Sequence, residues 1–298
     1  MMAEKDDDQD ILSELNNTEL KELADIYWNY KNELPHIYNF LQCCIKSKGI
    51  NMEDYVSVFS PGNCWREDGT FIASMPSFGH DIVLHSLDKT GKNLVDGLLR
   101  TNRFKFHPNP ERKYTFFYAV HEHFFPTVLD IVTRVFKRKT LFVDTLNLWH
   151  LKKEEAEKLQ ITPPQEVYVK ELQSTDISVI VEKWLYSYPT ADHKIRQWIT
   201  LQKGFGVYLK ANNEMVSWAP SSCLGQITAL QTNEEHMGKG YASMLVKTMA
   251  KYLAKEGLDT CAFVLSGNIA SERVFEKLNF NILCKCHFIA VSHDEVNC

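Results

Sequence analysis

His236-Met237-Gly238-Lys239-Gly240-Tyr241-Ala242 decides the reading of this 298-residue chain. The stretch joins an alternating apolar run, over about residues 224–231, to a long amphipathic helical pattern over 241–256. Two glycines one residue apart let the backbone turn sharply and approach a ligand without Cβ interference. A helix that starts at such a turn aims its unpaired N–H groups, and the positive end of its dipole, at whatever sits there. That arrangement suits a phosphate or pyrophosphate. A plain strand-to-helix turn is the other reading of a lone Gly-x-Gly. The helix itself is well marked. Ala242, Leu245, Val246, Met249, Tyr252 and Leu253 share one stripe, Lys247, Lys251 and Lys255 share the other, and Gly257 ends it. The apolar stripe must lie on a sheet, which leaves the helix N-terminus at the sheet's edge, within a ligand's reach.

The next residues add a strand, Thr260-Cys261-Ala262-Phe263-Val264-Leu265, then Gly267-Asn268-Ile269-Ala270-Ser271. A helix, Glu272-Arg273-Val274-Phe275-Glu276-Lys277-Leu278, follows and closes with Asn279-Phe280. Strand, Gly-x-Gly turn, helix, strand, Asn-x-Ala-Ser and a helix ending "FEKLNF" strongly resemble the acyl-CoA-binding core of the GNAT acyltransferases. Upstream, Glu171-Leu172, a helical pattern over Asp176–Trp184, Ile195-Arg196-Gln197-Trp198-Ile199 and Glu214-Met215-Val216-Ser217-Trp218-Ala219 look like the glycine N-acyltransferase branch. The resemblance covers roughly residues 165–292.

The resemblance implies a mixed twisted sheet flanked by helices, with acyl-CoA as cosubstrate and a small amine, such as an amino acid like glycine, as acceptor. It places the cleft between strands 224–232 and 260–266, which splay apart. Leu230, Gln231 and Thr232 would pair their backbone with the pantetheine, and the N–H near Leu230 would meet the thioester oxygen. The N–H groups of Met237, Gly238, Lys239, Gly240, Tyr241 and Ala242 would hold the pyrophosphate, with Lys239, Lys247, Lys251 and Lys255 adding local positive charge. Asn268 and Ser271 would bind the pantetheine arm or stabilise the helix beside it; for Asn268 a turn or helix N-cap is the competing role.

The chain departs from the family pattern at several positions. Glu235 stands where the turn usually opens with Gln or Arg, and Met237 replaces a common Arg. Phe275 occupies the place of a Tyr that protonates the leaving thiolate in many relatives. Gln226 falls where the glycine N-acyltransferase branch has a carboxylate base, and an amide takes no proton at neutral pH. Gln226 is therefore the candidate catalytic position and also the argument for a second reading, an acyl-CoA-binding protein of the same fold without turnover. A purely structural or interaction protein is the third.

Composition is that of a soluble globular protein, with 44% hydrophobic, 24% charged and 12% aromatic residues. A formal charge of −5 gives no electrostatic drive toward nucleic acid or an anionic membrane. No run of eighteen apolar residues occurs, and the acidic start at Glu4–Asp10 is neither a signal nor a transit peptide, so the expectation is a cytoplasmic protein. The eight cysteines show no zinc spacing, and Cys284-x-Cys286 lacks two further ligands. Buried reduced thiols and no metal are expected.

Residues 1–10 are expected to be disordered, 11–160 to form an α/β domain, and 165–298 the acyl-CoA-binding domain, with Pro163-Pro164 as the boundary. Leu12, Leu15, Leu20, Leu23, Ile26 and Tyr27 recur at helical spacing, broken or capped at Asn17-Thr18, and a second helix follows Pro35. Strands are expected at 55–59, 70–73, 81–85 and 114–120, with a helix at 94–101 and a charged helix at 150–164. Strands of similar length and order make the first half readable as a degenerate copy of the GNAT-like unit. It has no Gly-x-Gly turn before a helix, so no CoA is expected there. His121-Glu122-His123 lacks a third metal ligand and suits a surface or capping role, and Thr90-Gly91-Lys92-Asn93 lacks the earlier glycine of a phosphate loop. Trp218 is a core residue or a wall of the acceptor pocket.

Overall fold

Asn16 sets the first element boundary. Its Oδ1 accepts from the N–H groups of Thr18 (2.9 Å) and Glu19 (3.1 Å), while Glu19 Oε2 accepts from the N–H of Asn16 at 3.1 Å. This reciprocal cap starts a helix at residue 17 and prevents it from extending backwards. The leucines at 12 and 15 therefore do not continue the helix, as their spacing suggested; Leu12–Glu14 is a strand paired with Glu14↔Phe59 and Leu12↔Pro61. The computed structural model describes residues 10–50, 55–75, 81–103, 114–187 and 191–295. The expected disorder of 1–9 lies outside the described residues. Asp10 is held in place, accepting from the N–H groups of Leu12 (2.9 Å) and Asn102 (2.8 Å) and from Thr101 Oγ1 at 2.9 Å.

In chain order come β1 (Leu12–Glu14), α1 (Asn17–Trp28), α2 (Pro35–Gly49), β2 (Ser57–Pro61), α3 (Trp65–Asp68), β3 (Phe71–Met75) and β4 (Asp81–His85). Then follow α4 (Lys92–Arg100), β5 (Tyr114–His121), α5 (Phe125–Asp130), β6 (Arg138–Leu151), α6 (Lys153–Lys158), β7 (Val167–Glu171), α7 (Ile177–Lys183) and α8 (Ala191–Leu201). The chain continues with β8 (Gly204–Leu209), β9 (Met215–Pro220), β10 (Gln226–Ile227), β11 (Gln231–Thr232), α9 (Tyr241–Lys255), β12 (Thr260–Leu265), α10 (Ile269–Lys277) and β13 (Asn281–Glu295).

Two compact units result, and they do not follow the two halves of the chain. The first takes its residues from 1–27, 47–145 and 285–298, the second from 28–46 and 146–284. Pro163-Pro164, expected as the boundary, lies inside the second unit. Composition marks loops, but it does not say which sheet a distant strand will join.

In the first unit the strand order is β1-β2-β3-β4-β5-β13. All neighbours are antiparallel except β4 and β5, which run parallel with Ile82↔Phe117. Helix α4 provides the crossover that a parallel pair requires. It packs Leu94 and Leu98 against Ile72, Leu84 and Phe117. No Gly-x-Gly opens this helix, but a single left-handed glycine does: Gly91, at φ 63°, is its N-cap.

The turn at Gly91 is already satisfied from within. Asp88 accepts from the N–H of Thr90 (2.9 Å) and from its hydroxyl, the Gly91 N–H donates to the Asp88 carbonyl at 3.0 Å, and the Lys92 N–H reaches Thr90 Oγ1 at 3.4 Å. The Phe124 ring closes over the glycine, 3.1 Å from where a Cβ would stand. His121 and Glu122 serve the neighbouring turn: His121 Nδ1 accepts from the His123 N–H, and Glu122 Oε1 from the Lys285 N–H.

In the second unit one sheet runs β7-β8-β9-β11, antiparallel throughout. The other strands run in the order β6-β12-β10, with β12 antiparallel to β6 and parallel to β10. The apolar stripe of α9, including Leu245, Val246 and Met249, is buried with Val207, Val216, Ile227 and Ala262. Helices α7 and α8 pack Ile180, Ile195 and Trp198 around Trp218, which is fully buried core.

Two expectations are corrected here. Helix 150–164 is only the six residues of α6, because β6 runs on to Leu151 in its ladder with β12. The single strand over 224–231 is two short strands, β10 and β11, on different partners.

Candidate functional site

The break between β10 and β11 makes the cleft. Gln226 and Ile227 pair with Cys261 and Ala262 of β12, whereas Gln231 and Thr232 pair with Trp218 and Ser217 of β9. Ala229, between them, has φ 44°, an uncommon backbone for a residue with a side chain. From residue 228 onward the chain therefore leaves β12, which continues to Leu265 in its ladder with β6 on the other side. Thr228 donates its N–H to Pro220 O at 3.0 Å, but neither Ala229 nor Leu230 donates its N–H to an acceptor among the described residues. Leu230 is half-buried against the α9 core.

The Gly-x-Gly turn follows. Gly238 and Gly240 both have left-handed backbones, with φ 77° and 83°, and Gly240 is the N-cap of the fifteen-residue α9 with no side chain capping it. A Cβ at either glycine would meet nothing within 4 Å, so the turn is open on that side. None of the N–H groups from Gly238 to Ser243 has an acceptor among the described residues. The Met237 N–H, expected in this set, is instead taken by Glu234 O at 3.1 Å, and Ser243 joins the set at the other end. Open N–H groups at the start of a long helix form an anion site.

Side chains around the turn form a small network. Tyr241, buried, donates to Glu166 Oε1 at 3.1 Å and stacks beneath His236, with ring centroids 6.3 Å apart. Burial, and then Glu166, push the Tyr241 hydroxyl pKa up, so it stays a donor. Lys239 Nζ lies 3.2 Å from His236 Nδ1, beside the turn. Two of the other lysines are engaged elsewhere: Lys247 Nζ donates to Gln160 O at 3.0 Å, and Lys251 Nζ to Glu157 O and Leu159 O at 2.7 and 2.9 Å. They cap the carbonyls at the end of α6 and the loop beyond it.

The remaining sequence-selected residues divide between support and site. Asn268 caps α10, its Oδ1 accepting from the Ser271 N–H at 3.2 Å, while Glu272 Oε1 accepts from the Gly267 N–H at 3.1 Å. The Gln231 side chain clasps the end of α7, donating to Lys183 O and accepting from the Leu185 N–H at 3.1 Å. Thr232 Oγ1 pairs with Ser217 Oγ at 2.8 Å. Phe275 is buried against Trp149 and Phe280 in the core under α9. Gln226 sits at the base of the split, 4% exposed, and its Oε1 is buried with no hydrogen-bond partner among the described residues. An orphaned buried acceptor of this kind costs stability and calls for an explanation. No group of side chains able to hold a metal occurs among the described residues.

A family model described as FR47-like protein matches residues 204–289, and one described as a domain of unknown function matches residues 11–131. No curated protein matches the chain. Among solved structures, a Drosophila protein superposes with a TM-score of 0.86 at 16% identity, over 96% of this chain and 99% of its own. A tandem GNAT protein from the clavulanic acid biosynthesis pathway aligns with a TM-score of 0.54 at 9% identity, again over 96% and 99%. A GCN5-related N-acetyltransferase from Sphaerobacter thermophilus gives 0.52 at 8% identity, over 98% of each chain. The chain has a tandem GNAT fold. Its FR47-like part, from β8 into β13, contains the split between β10 and β11, the glycine turn and α9. In the first unit of this tandem fold, β4, the Gly91 turn, α4 and β5 repeat the order of parts but not the open turn. Among the described residues no helix is long and apolar enough to cross a membrane.

Proposed function

We propose that the protein is an N-acyltransferase that moves an acyl group from acyl-CoA to a small amine, an amino acid such as glycine being the acceptor the glycine N-acyltransferase-like segments favour. The observation that carries this reading is the run of open N–H groups from Gly238 to Ser243, set beside strands that part at residue 228. The turn is built to take the pyrophosphate of CoA, with Lys239 supplying charge. The Ala229 and Leu230 N–H groups are donors at the split, where a thioester carbonyl oxygen gains charge as the amine attacks. Holding thioester and amine together in one cleft is itself worth on the order of 7–11 kcal/mol of barrier in well-oriented cases. Phe275 offers no proton to the departing thiolate, and a CoA thiolate leaves without help near neutral pH.

A second reading, an acyl-CoA-binding protein without turnover, is favoured by one observation: Gln226 presents an amide at the base of the split where the glycine N-acyltransferase-like branch has a carboxylate. Turnover separates the two. Release of CoA thiol from acetyl-, benzoyl- and longer acyl-CoA, measured with a panel of amines and amino acids, is expected for the enzyme. Saturable CoA binding with no thiol release by any pair would leave the binding protein, and no CoA binding would remove both.

A further inference from the structure

Gln226, Cys261 and His150 form one row across three strands. Gln226 registers with Cys261 in the parallel ladder, and Cys261 with His150 in the antiparallel one. Residues in register point to the same face. Their neighbours Ile227, Ala262 and Trp149 lie in the core under α9, so the row faces the other side of the sheet, where Asn39 of α2 reaches Cys261 Sγ at 4.0 Å. His150 is 4% exposed, and its Nε2 lies 2.8 Å from Asp259 Oδ2. Asp259 Oδ1 accepts from the Lys153 N–H at 2.9 Å, and its carbonyl from Asn39 Nδ2 at 2.9 Å.

Burial works to raise the Asp259 pKa, but hydrogen bonds from His150 and the Lys153 N–H, and then the charge of Lys31, outweigh it and hold the carboxyl below its usual range. An ionised carboxylate only accepts, so it fixes the imidazole proton on Nε2 and leaves Nδ1 as a lone pair. No hydrogen bond to Nδ1 occurs among the described residues. The row thus ends in an oriented base at one side and an unpaired amide oxygen at the other.

We propose that the His150–Asp259 pair takes the proton of the acceptor amine, which Gln226 Oε1 holds by one of its N–H groups. This rests on the acyltransferase reading above. Two strand spacings, about 10 Å, separate the backbones of Gln226 and His150, and the amine nitrogen and one water would lie between their side chains, over Cys261. The nitrogen lone pair forms the new C–N bond at the thioester carbonyl carbon. The C–S bond breaks and its electron pair leaves with the CoA sulfur as thiolate. The amine proton passes through the water to His150 Nδ1. Cys261 stays a neutral thiol between them, because burial first, then Asp259 and Cys284, push its pKa well up. The other titratable groups on this side are His36, packed edge-on against Phe263 at 5.8 Å, and Lys31, which acts on Asp259.

The test uses the full chain with an acyl-CoA and amine pair that turns over. His150→Gln is expected to lower kcat/KM at neutral pH by about 10²-fold or more, the usual scale of general-base catalysis. It should abolish the acid limb of the pH–rate profile while leaving calorimetric CoA affinity unchanged. Adding Gln226→Glu to that variant is expected to restore activity, with a new limb in the carboxylate range. A merely structural histidine would lower stability and leave the limb in place. A folded His150→Gln variant with the wild-type pH profile overturns the proposal; if that variant does not fold, an unshifted limb in Asp259→Asn overturns it instead. Bound CoA with no turnover of any amine by the wild type would sink the acyltransferase reading, and this assignment with it.

Discussion

Tyr241 donates its phenolic hydrogen bond to Glu166 Oε1 at 3.1 Å, tying the first residue of α9 to the residue just ahead of β7. The bond fixes the start of the helix whose open N–H groups are proposed to take the pyrophosphate. Tyr241→Phe keeps the ring against His236 and removes only the bond. A hydrogen bond to a charged group is worth about 1.5–3 kcal/mol, so thermal or urea unfolding should register a loss at or below the low end of that range. CoA affinity should fall a few-fold. Unchanged stability and affinity together would mean the bond does not position the turn.

Asn268 is a helix cap in this structure, and capping predicts a stability effect. Asn268→Ala is expected to cost about 1 kcal/mol, the typical loss on replacing a good N-cap, measured by denaturant unfolding. Asn268→Asp keeps an accepting oxygen and should restore the stability. A large loss of CoA affinity in a variant of normal stability would instead assign the residue to the ligand.

One CoA should bind per chain. In the first unit Asp88 and Thr90 already occupy the N–H groups around Gly91, and Phe124 covers the glycine. Calorimetric titration is expected to give a stoichiometry of one, unchanged by Asp88→Ala. Two sites in the wild type would show that the first unit has kept a working turn.

Asp259 sets a pH dependence of stability. Its folded pKa is depressed, so its contribution is present above the ordinary carboxylate pKa of 3.8 and is lost as pH falls through the lower folded value. Chemical unfolding followed from pH 6 downward should show a loss below about pH 4 that is shallower in Asp259→Asn. Parallel curves for the two proteins would contradict the assignment.

Local chemistry was legible in the sequence, and partnership was not. The glycine turn, the stripe of α9, the Asp81–His85 strand and the α10 cap all follow from side-chain period, backbone freedom and a short-range bond. The fourteen-residue β6 escaped notice because Leu141, Phe142 and Val143 are exposed while Leu146, Leu148, Trp149, His150 and Leu151 are buried, so no period of two runs through it. The split of 224–231 depends on the positive φ of an alanine, which no residue preference announces. Lysines 247 and 251 carry the right charge for a phosphate, but only the fold shows them turned to the carbonyls around α6. The His150–Asp259 pair joins residues 109 apart in sequence, and nothing local to either points to the other.

Calorimetric titration of CoA into the wild type and Gly238→Val tests the central claim most directly. Gly238 has φ 77° and open space around its Cβ, so valine strains the turn without clashing with the core. The account expects saturable binding by the wild type, and an affinity at least tenfold weaker in a variant whose circular dichroism is unchanged. Equal affinity in the two folded proteins would contradict it, because the pyrophosphate would then be held somewhere other than the turn at Gly238 to Ser243.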